Sequence, residues 1–209
     1  LDYEEPLTRK DSTTGDLYDC SAHFICIGER TRQQDGAHAE FFGGVHNPVG
    51  VKLGPEAAPG DAIALCERLN PGRVPGRLTL IVRMGAERVD QLLPPLLQAV
   101  RAADHPVVWV CDPMHANGFV TATGVKTRHF DAIMAEIEGF IACCRAEGVW
   151  PGGVHLEYTG EDVTECLGGP SGAVLEEQLS HRYETLCDPR LPGILEDAVY
   201  MAEPYVLTE

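Results

Sequence analysis

The sequence predicts an α/β protein built on a parallel sheet. Five short apolar runs recur along it: Phe24–Gly28, Val49–Val51, Leu78–Val82, Val107–Cys111 and Val154–Leu156. A helical stretch follows each of the first four. Each run also leads into ionisable residues, in order Glu29 with Arg30, Lys52, Arg83, Asp112 with His115, and Glu157. The runs start at 24, 49, 78, 107 and 154. A beat of about 25–30 residues is what one strand, one helix and two loops occupy. The last interval is longer because the loop after Cys111 is longer. Apolar strands alternating with helices read as a parallel sheet, and such proteins place their chemistry at the C-terminal strand ends. Two architectures satisfy this pattern. One is an open doubly wound sheet. The other is a closed (β/α)₈ TIM barrel, which usually takes about 250 residues and eight strands.

The elements follow in order. Residues 1–22 are polar and turn-rich, and read as a short helix and then a loop. The first helix of the alternation is predicted over 33–43. The second runs from Pro59 to Leu69, where Asn70-Pro71-Gly72 ends it. The third starts near Glu87, with Leu92, Leu93, Leu96, Leu97 and Val100 on one face. Pro94-Pro95 within it predicts a kink or a helix start. The fourth covers 130–147, with Ile133, Ile137, Phe140, Ile141 and Cys144 on one face. Gly152-Gly153 reads as a tight turn before the fifth strand. A weaker helix is expected over 175–183 and a last one over 194–203, ended by Pro204.

The chain has 209 residues, enough for one sizeable core, and its 44% hydrophobic and 23% charged content is that of a soluble protein. The net charge of −16 disfavours nucleic acid or an anionic membrane as a partner. It leaves room for local basic clusters that bind small anions. No apolar run approaches a transmembrane span, and no signal peptide is visible after Leu1. The eight cysteines form no CxxC pair, and several lie in apolar runs, which points to reduced thiols and a cytoplasmic setting. Cys143 and Cys144 point to different helix faces, so at least one reads as core.

Two groups of residues could do chemistry. Arg30, Lys52 and Arg83 each follow a different strand. Any one alone reads as a surface ion pair. Three at equivalent strand ends read as a site for a phosphate and a carboxylate, because guanidinium groups grip both in bidentate fashion. Gly28, Glu29 and Arg30 add backbone N–H groups at a strand end. The second group is His115, Glu157 and Asp188, whose donors suit Mn²⁺, Fe²⁺, Co²⁺ or Zn²⁺ better than Ca²⁺. No HExxH or short ligand spacing supports it, and a lone loop histidine is more often a hydrogen-bonded structural group. The other histidines read as structural, with His155 at most supporting Glu157. There is no GxGxxG, GxxxxGK[ST] or GxSxG motif.

Seven strings go beyond pattern. They are ICIGERTRQ (25–33), NPVGVKLGP (47–55), PGRLTLIVRMG (75–85), VWVCDPMHAN (108–117), KTRHFD (126–131), PGGVHLEYTGEDVTECLGG (151–169) and RYETLCDPRL (182–191). In order and over nearly the whole chain, the sequence resembles class II 3-deoxy-D-arabino-heptulosonate 7-phosphate (DAHP) synthases. The resemblance implies a (β/α)₈ TIM barrel, of which this chain supplies strands 4 to 8 and their helices. It implies the condensation of phosphoenolpyruvate with erythrose 4-phosphate, the first step of the shikimate pathway. It places Glu29, Arg30, Lys52 and Arg83 on the phosphoenolpyruvate site, with His115, Lys52 and Arg83 catalytic. It places His115, Glu157 and Asp188 on a divalent metal, Mn²⁺ first, with Co²⁺, Fe²⁺ or Zn²⁺ as alternatives.

The departures also shape the expectation. The family's fourth metal ligand, a cysteine, and its lysine–proline–arginine–serine motif have no counterpart here. Ala116 replaces the glycine usual after the metal histidine, and the stretch Leu191–Glu209 is divergent. A half-barrel alone would leave open sheet edges. The expected partner is therefore the N-terminal half of the barrel, whether cleaved, unresolved or a separate polypeptide. A homo-oligomer is expected, and some family members associate with chorismate mutase. Two other readings remain: a non-catalytic half-barrel that binds phosphoenolpyruvate, and an aminoDAHP synthase variant.

Overall fold

The parallel ladder expected from the apolar runs is present in the computed structural model, which describes residues 1–157, 164–169 and 174–179. The chain divides into two compact units. One is Leu1–Val82 with Pro95–Val110; the other is Arg83–Pro94 with Cys111–Glu209.

The first unit opens with α1 (Glu4–Leu7), β1 (Thr8–Lys10) and β2 (Leu17–Asp19). Here the expectation of a plain loop is corrected. β1 and β2 pair antiparallel, Lys10 opposite Leu17. The turn is built by Asp11, whose Oδ1 accepts the N–H groups of Thr13 (2.5 Å) and Thr14 (3.1 Å). Those backbone donors hold the Asp11 carboxyl below its ordinary pKa. The three-residue strands TRK and LYD carry no apolar alternation, so periodicity could not reveal them.

Beyond the hairpin come β3 (Ile25–Ile27), β4 (Val49–Leu53), β5 (Leu78–Val82) and β6 (Val107–Cys111), adjacent in that order. β3, β4 and β5 are parallel, with Ile27 beside Val51 and Lys52 beside Ile81. All five residues of β5 are buried, as expected of a parallel strand covered on both faces. In β4 only Lys52 is not fully buried. Between β3 and β4 the helix expected over 33–43 starts four residues later, as α2 (Ala37–Gly44), and a 3₁₀ turn, Glu29–Thr31, precedes it. α3 (Pro59–Leu69) matches its expected span. Its start combines proline at the first helical position with Asp61, whose carboxylate accepts the Ala58 N–H (3.1 Å). Ala62, Leu65, Cys66 and Leu69 form its buried face, and α2 packs against it.

α4 (Val89–Ala102) runs on through Pro94 and Pro95, so neither proline starts the helix. Val89, Leu93, Leu96, Leu97 and Val100 are buried on it, and burial of that stripe outweighs the lost backbone bonds.

The second unit is organised by α5 (Phe130–Ala146), within one residue of its expected end. Ile133, Ile137, Phe140 and Cys144 are buried on it; Cys143 is buried too, so both adjacent thiols are core. At Gly139 a Cβ would stand 2.5 Å from Val89 Cγ1, which explains a glycine in mid-helix. Missed from the sequence were β7 (Gly118–Val120) and β8 (Lys126–His129), an antiparallel pair, with β10 (Cys166–Leu167) parallel to β8. The fifth strand, β9, is Pro151–Val154, earlier than the run Val154–Leu156. Pro151, Gly152 and Gly153 are therefore strand rather than turn: proline is tolerated as a first strand residue, and Gly153 takes φ +146°, a conformation open to glycine. After the strand, the His155 N–H donates to Cys111 O (2.7 Å). Of the weaker helix expected over 175–183, the described residues hold a 3₁₀ turn, Glu176–Gln178. The helix expected over 194–203 lies outside the described residues. No helix among the described residues is long and apolar enough to cross a membrane.

Glu165 in the second unit is 2% exposed and accepts a hydrogen bond from Arg128 Nη1 (3.4 Å). Burial pushes its carboxyl from 4.5 up to about 8, against the opposing pull of Arg128. The folded protein thus keeps a proton that the unfolded chain releases near 4.5. Its stabilising contribution is complete below that value and is lost as pH rises through about 8. The denaturation midpoint of the intact protein is expected to fall from about pH 6 to about pH 9, and to fall less in Glu165→Gln. Equal slopes for both proteins would contradict this assignment.

Candidate functional site

Six of the residues singled out from the sequence fall among the described residues, three in each unit. In the first unit Glu29 and Arg30 form the 3₁₀ turn directly after β3, and Lys52 lies near the C-terminal end of β4. Glu29 is committed to the protein itself. Its Oε2 accepts the Gly54 N–H (2.5 Å) and its Oε1 pairs with Arg32 Nε (3.1 Å). A Cβ at Gly54 would approach the Glu29 carboxyl carbon to 2.9 Å, so glycine lets the carboxylate sit against the backbone. Arg32 also reaches Asp61 Oδ2 (3.3 Å), tying the turn to the start of α3. Arg30 is exposed, and its carbonyl accepts Gln33 Nε2 (3.1 Å). A cleft of about 320 Å³ opens beside this turn, lined by Glu29, Arg32, Asp35, Asp61 and Leu65. Its three carboxylates make it unsuited to an anion, and it includes neither Arg30 nor Lys52.

In the second unit Arg83, His115 and Glu157 come together. The loop after β6 carries Asp112, Met114, His115 and Asn117. Asp112 is fully buried, and its oxygens lie 2.9 and 2.8 Å from His115 Nδ1. It also accepts the Met114 N–H (3.1 Å). A carboxylate on Nδ1 holds the proton there and leaves the Nε2 lone pair outward. His115 Nε2 stands 3.1 Å from Glu157 Oε1. The Arg83 Nη2 group donates to the His115 carbonyl.

Two atoms of this cluster are left over. Glu157 Oε2 and Arg83 Nε are buried and have no hydrogen-bond partner among the described residues. Buried polar groups are ordinarily satisfied, so each marks space for a ligand atom: a cation or proton donor at Glu157, an acceptor at Arg83.

A divalent metal fits part of this arrangement. Donor atoms about 2.1 Å from one cation and roughly at right angles stand about 3 Å apart, as Nε2 and Oε1 do here. Asp188 lies outside the described residues, and those residues contain no complete set of three metal-binding side chains.

Asp112, Glu136 and Asn117 were not among the sequence-derived site residues. Glu136 is fully buried on α5, three residues after Ile133 and four before Phe140. A carboxylate in an apolar helical stripe was the legible signal. Its Oε1 accepts the N–H groups of Met84 (2.7 Å) and Gly85 (2.9 Å), and Oε2 accepts Asn117 Nδ2 (2.6 Å). Burial pushes its carboxyl up, partly offset by those three donors.

Residues 1–202 match the Class-II DAHP synthetase family. The chain belongs to this family. It is 50% identical over 207 residues to phospho-2-dehydro-3-deoxyheptonate aldolase of Streptomyces coelicolor, covering 98% of this chain and 46% of that protein. It is 53% identical over 196 residues to phospho-2-dehydro-3-deoxyheptonate aldolase AroG of Mycolicibacterium smegmatis, covering 91% and 42% respectively. The chain thus spans less than half the length of these curated relatives. Family membership and the parallel sheet of alternating strands and helices agree with part of a TIM barrel.

Proposed function

We propose that this chain supplies strands 4 to 8 of the (β/α)₈ barrel of a class II DAHP synthase, as one part of a single catalytic domain. With the remainder of that barrel it condenses phosphoenolpyruvate and D-erythrose 4-phosphate to DAHP and phosphate. The observation that carries this reading is the cluster of Arg83, His115 and Glu157. It offers one buried donor and one buried acceptor at strand ends that find no partner among the described residues.

On this reading Arg83, Lys52 and Arg30 bind the phosphate and carboxylate of phosphoenolpyruvate, with the Arg83 Nε–H as the donor left free for it. Glu29 shapes the turn that presents Arg30, held by Gly54 and Arg32. His115 Nε2 and Glu157, joined by Asp188, would hold the divalent metal. That metal, Mn²⁺ in preference to Co²⁺, Fe²⁺ or Zn²⁺, supplies Lewis acidity to the aldehyde when bound. Asp112 keeps the His115 proton on Nδ1, so that Nε2 stays a lone-pair donor. C3 of phosphoenolpyruvate bonds to the aldehyde carbon, water adds at C2, and the C2–O bond to phosphate breaks. The cationic side chains hold the two anions in register and stabilise the departing phosphate.

The test is consumption of phosphoenolpyruvate and release of phosphate by the intact protein, with erythrose 4-phosphate and Mn²⁺. Turnover is expected, and EDTA is expected to abolish it. Consumption that ignores EDTA, or none at all with metal present, would overturn the reading. Arg83→Lys keeps the charge but loses the fork, so kcat/KM for phosphoenolpyruvate is expected to drop about 100-fold, or about 2.7 kcal/mol. Asp112→Asn presents an amide to Nδ1 and is expected to weaken Mn²⁺ binding by about 10- to 100-fold, read by titration without substrates.

A further inference from the structure

The two loops that carry Arg83 and His115 are joined by side chains with no assigned part in the chemistry. Glu136 reaches from α5 with no exposed surface. Its Oε1 takes the N–H groups of Met84 and Gly85, the two residues after Arg83. Its Oε2 takes Asn117 Nδ2, two residues after His115. Asn117 completes the circuit: Oδ1 accepts the Ala86 N–H (2.9 Å) and Nδ2 also donates to Pro113 O (2.8 Å). Three consecutive N–H groups after Arg83 are thereby held by two side chains. Both also bind the loop whose His115 carbonyl receives Arg83 Nη2.

We propose that Glu136 and Asn117 are a positioning pair for this site, locking the Arg83 loop to the His115 loop so that guanidinium and imidazole are set as one body. The inference rests on the function proposed above. Gly85 has φ +86°, a left-handed conformation that leaves its N–H directed by its partners rather than by a regular ladder. A buried carboxylate costs free energy unless its lone pairs are filled, and here three donors fill them. The price of that burial falls where the two functional loops meet. Disturbing the pair should therefore alter anion binding and metal binding together, although neither side chain need touch a ligand.

The donor and acceptor roles make the test specific. In Glu136→Gln an amide NH₂ competes with the Asn117 NH₂. In Asn117→Asp two carboxylates oppose each other. In the double variant a Gln amide faces an Asp carboxylate, so complementarity returns within the pair with the polarity reversed, while the Pro113 carbonyl still lacks its donor. In the intact protein each single variant is expected to raise KM for phosphoenolpyruvate about tenfold. Each should also weaken Mn²⁺ binding, measured by electron paramagnetic resonance without substrates, by about tenfold. The double variant is expected to recover part of both defects relative to either single variant, and a double variant no better than the worse single one would count against the pairing. Asn117→Ala leaves the two Glu136–backbone bonds in place and should show the same paired defect if a charge-altering variant fails to fold. Wild-type protein without turnover would sink the proposed function. Wild-type turnover alongside variants that melt earlier but keep both KM and Mn²⁺ affinity would sink the positioning pair instead.

Discussion

A fully buried Asp112 beside His115 is the constraint around which the second unit's chemistry is arranged. An isolated carboxylate in an apolar interior is costly, and here it is compensated by the imidazole Nδ1 and the Met114 N–H. Those bonds fix the ring, and the ring fixes which nitrogen faces Glu157. The same loop exposes the His115 carbonyl to Arg83. One buried charge thus determines the tautomer, the ring direction and a contact of the guanidinium.

Glu136 repeats the device one layer back. It too is fully buried and filled by donors, but the donors belong to the backbone after Arg83 and to Asn117. Glu165 is buried as well, and Arg128 offsets that burial only partly. In both groups burial pushes the carboxyl up. They differ in geometry: several short donors at Glu136 tie two loops together, whereas Glu165 meets Arg128 at 3.4 Å.

The sequence made the periodic parts legible. α3 and α5 carry strong apolar faces and clear ends, and their spans agree with the reading to within a residue. β5 and β6 are continuous apolar runs and coincide with the structure. The elements that escaped lack such a period. β1 and β2 are three polar-edged residues each, made by the Asp11 turn, and β7 is exposed throughout. Among the candidate residues, those at strand ends stood out in the sequence because a polar residue after an apolar run is conspicuous. Asn117 and Glu136 were not, because their roles depend on backbone donors 31 and 51 or 52 residues away. Whether Arg30, Lys52 and Arg83 converge cannot be read from spacing, because spacing alone does not place one side chain against another.

On the proposed reading an acidic chain carries an anion site. At −16 the protein repels anions at long range, but at physiological salt that field decays over about 8 Å. Recognition must then come from contacts, which favours a guanidinium with a buried unfilled donor over a diffuse basic surface. Around His115 the carboxylates of Asp112 and Glu157 outnumber the Arg83 guanidinium. Such a cluster attracts a cation before an anion. On the proposed reading a divalent ion, with Arg83, offsets the carboxylates of Asp112, Glu157 and Asp188, and a phosphoenolpyruvate anion then meets a site that no longer repels it. Metal affinity and anion affinity are thereby coupled through charge as well as through the loops that carry the ligating groups.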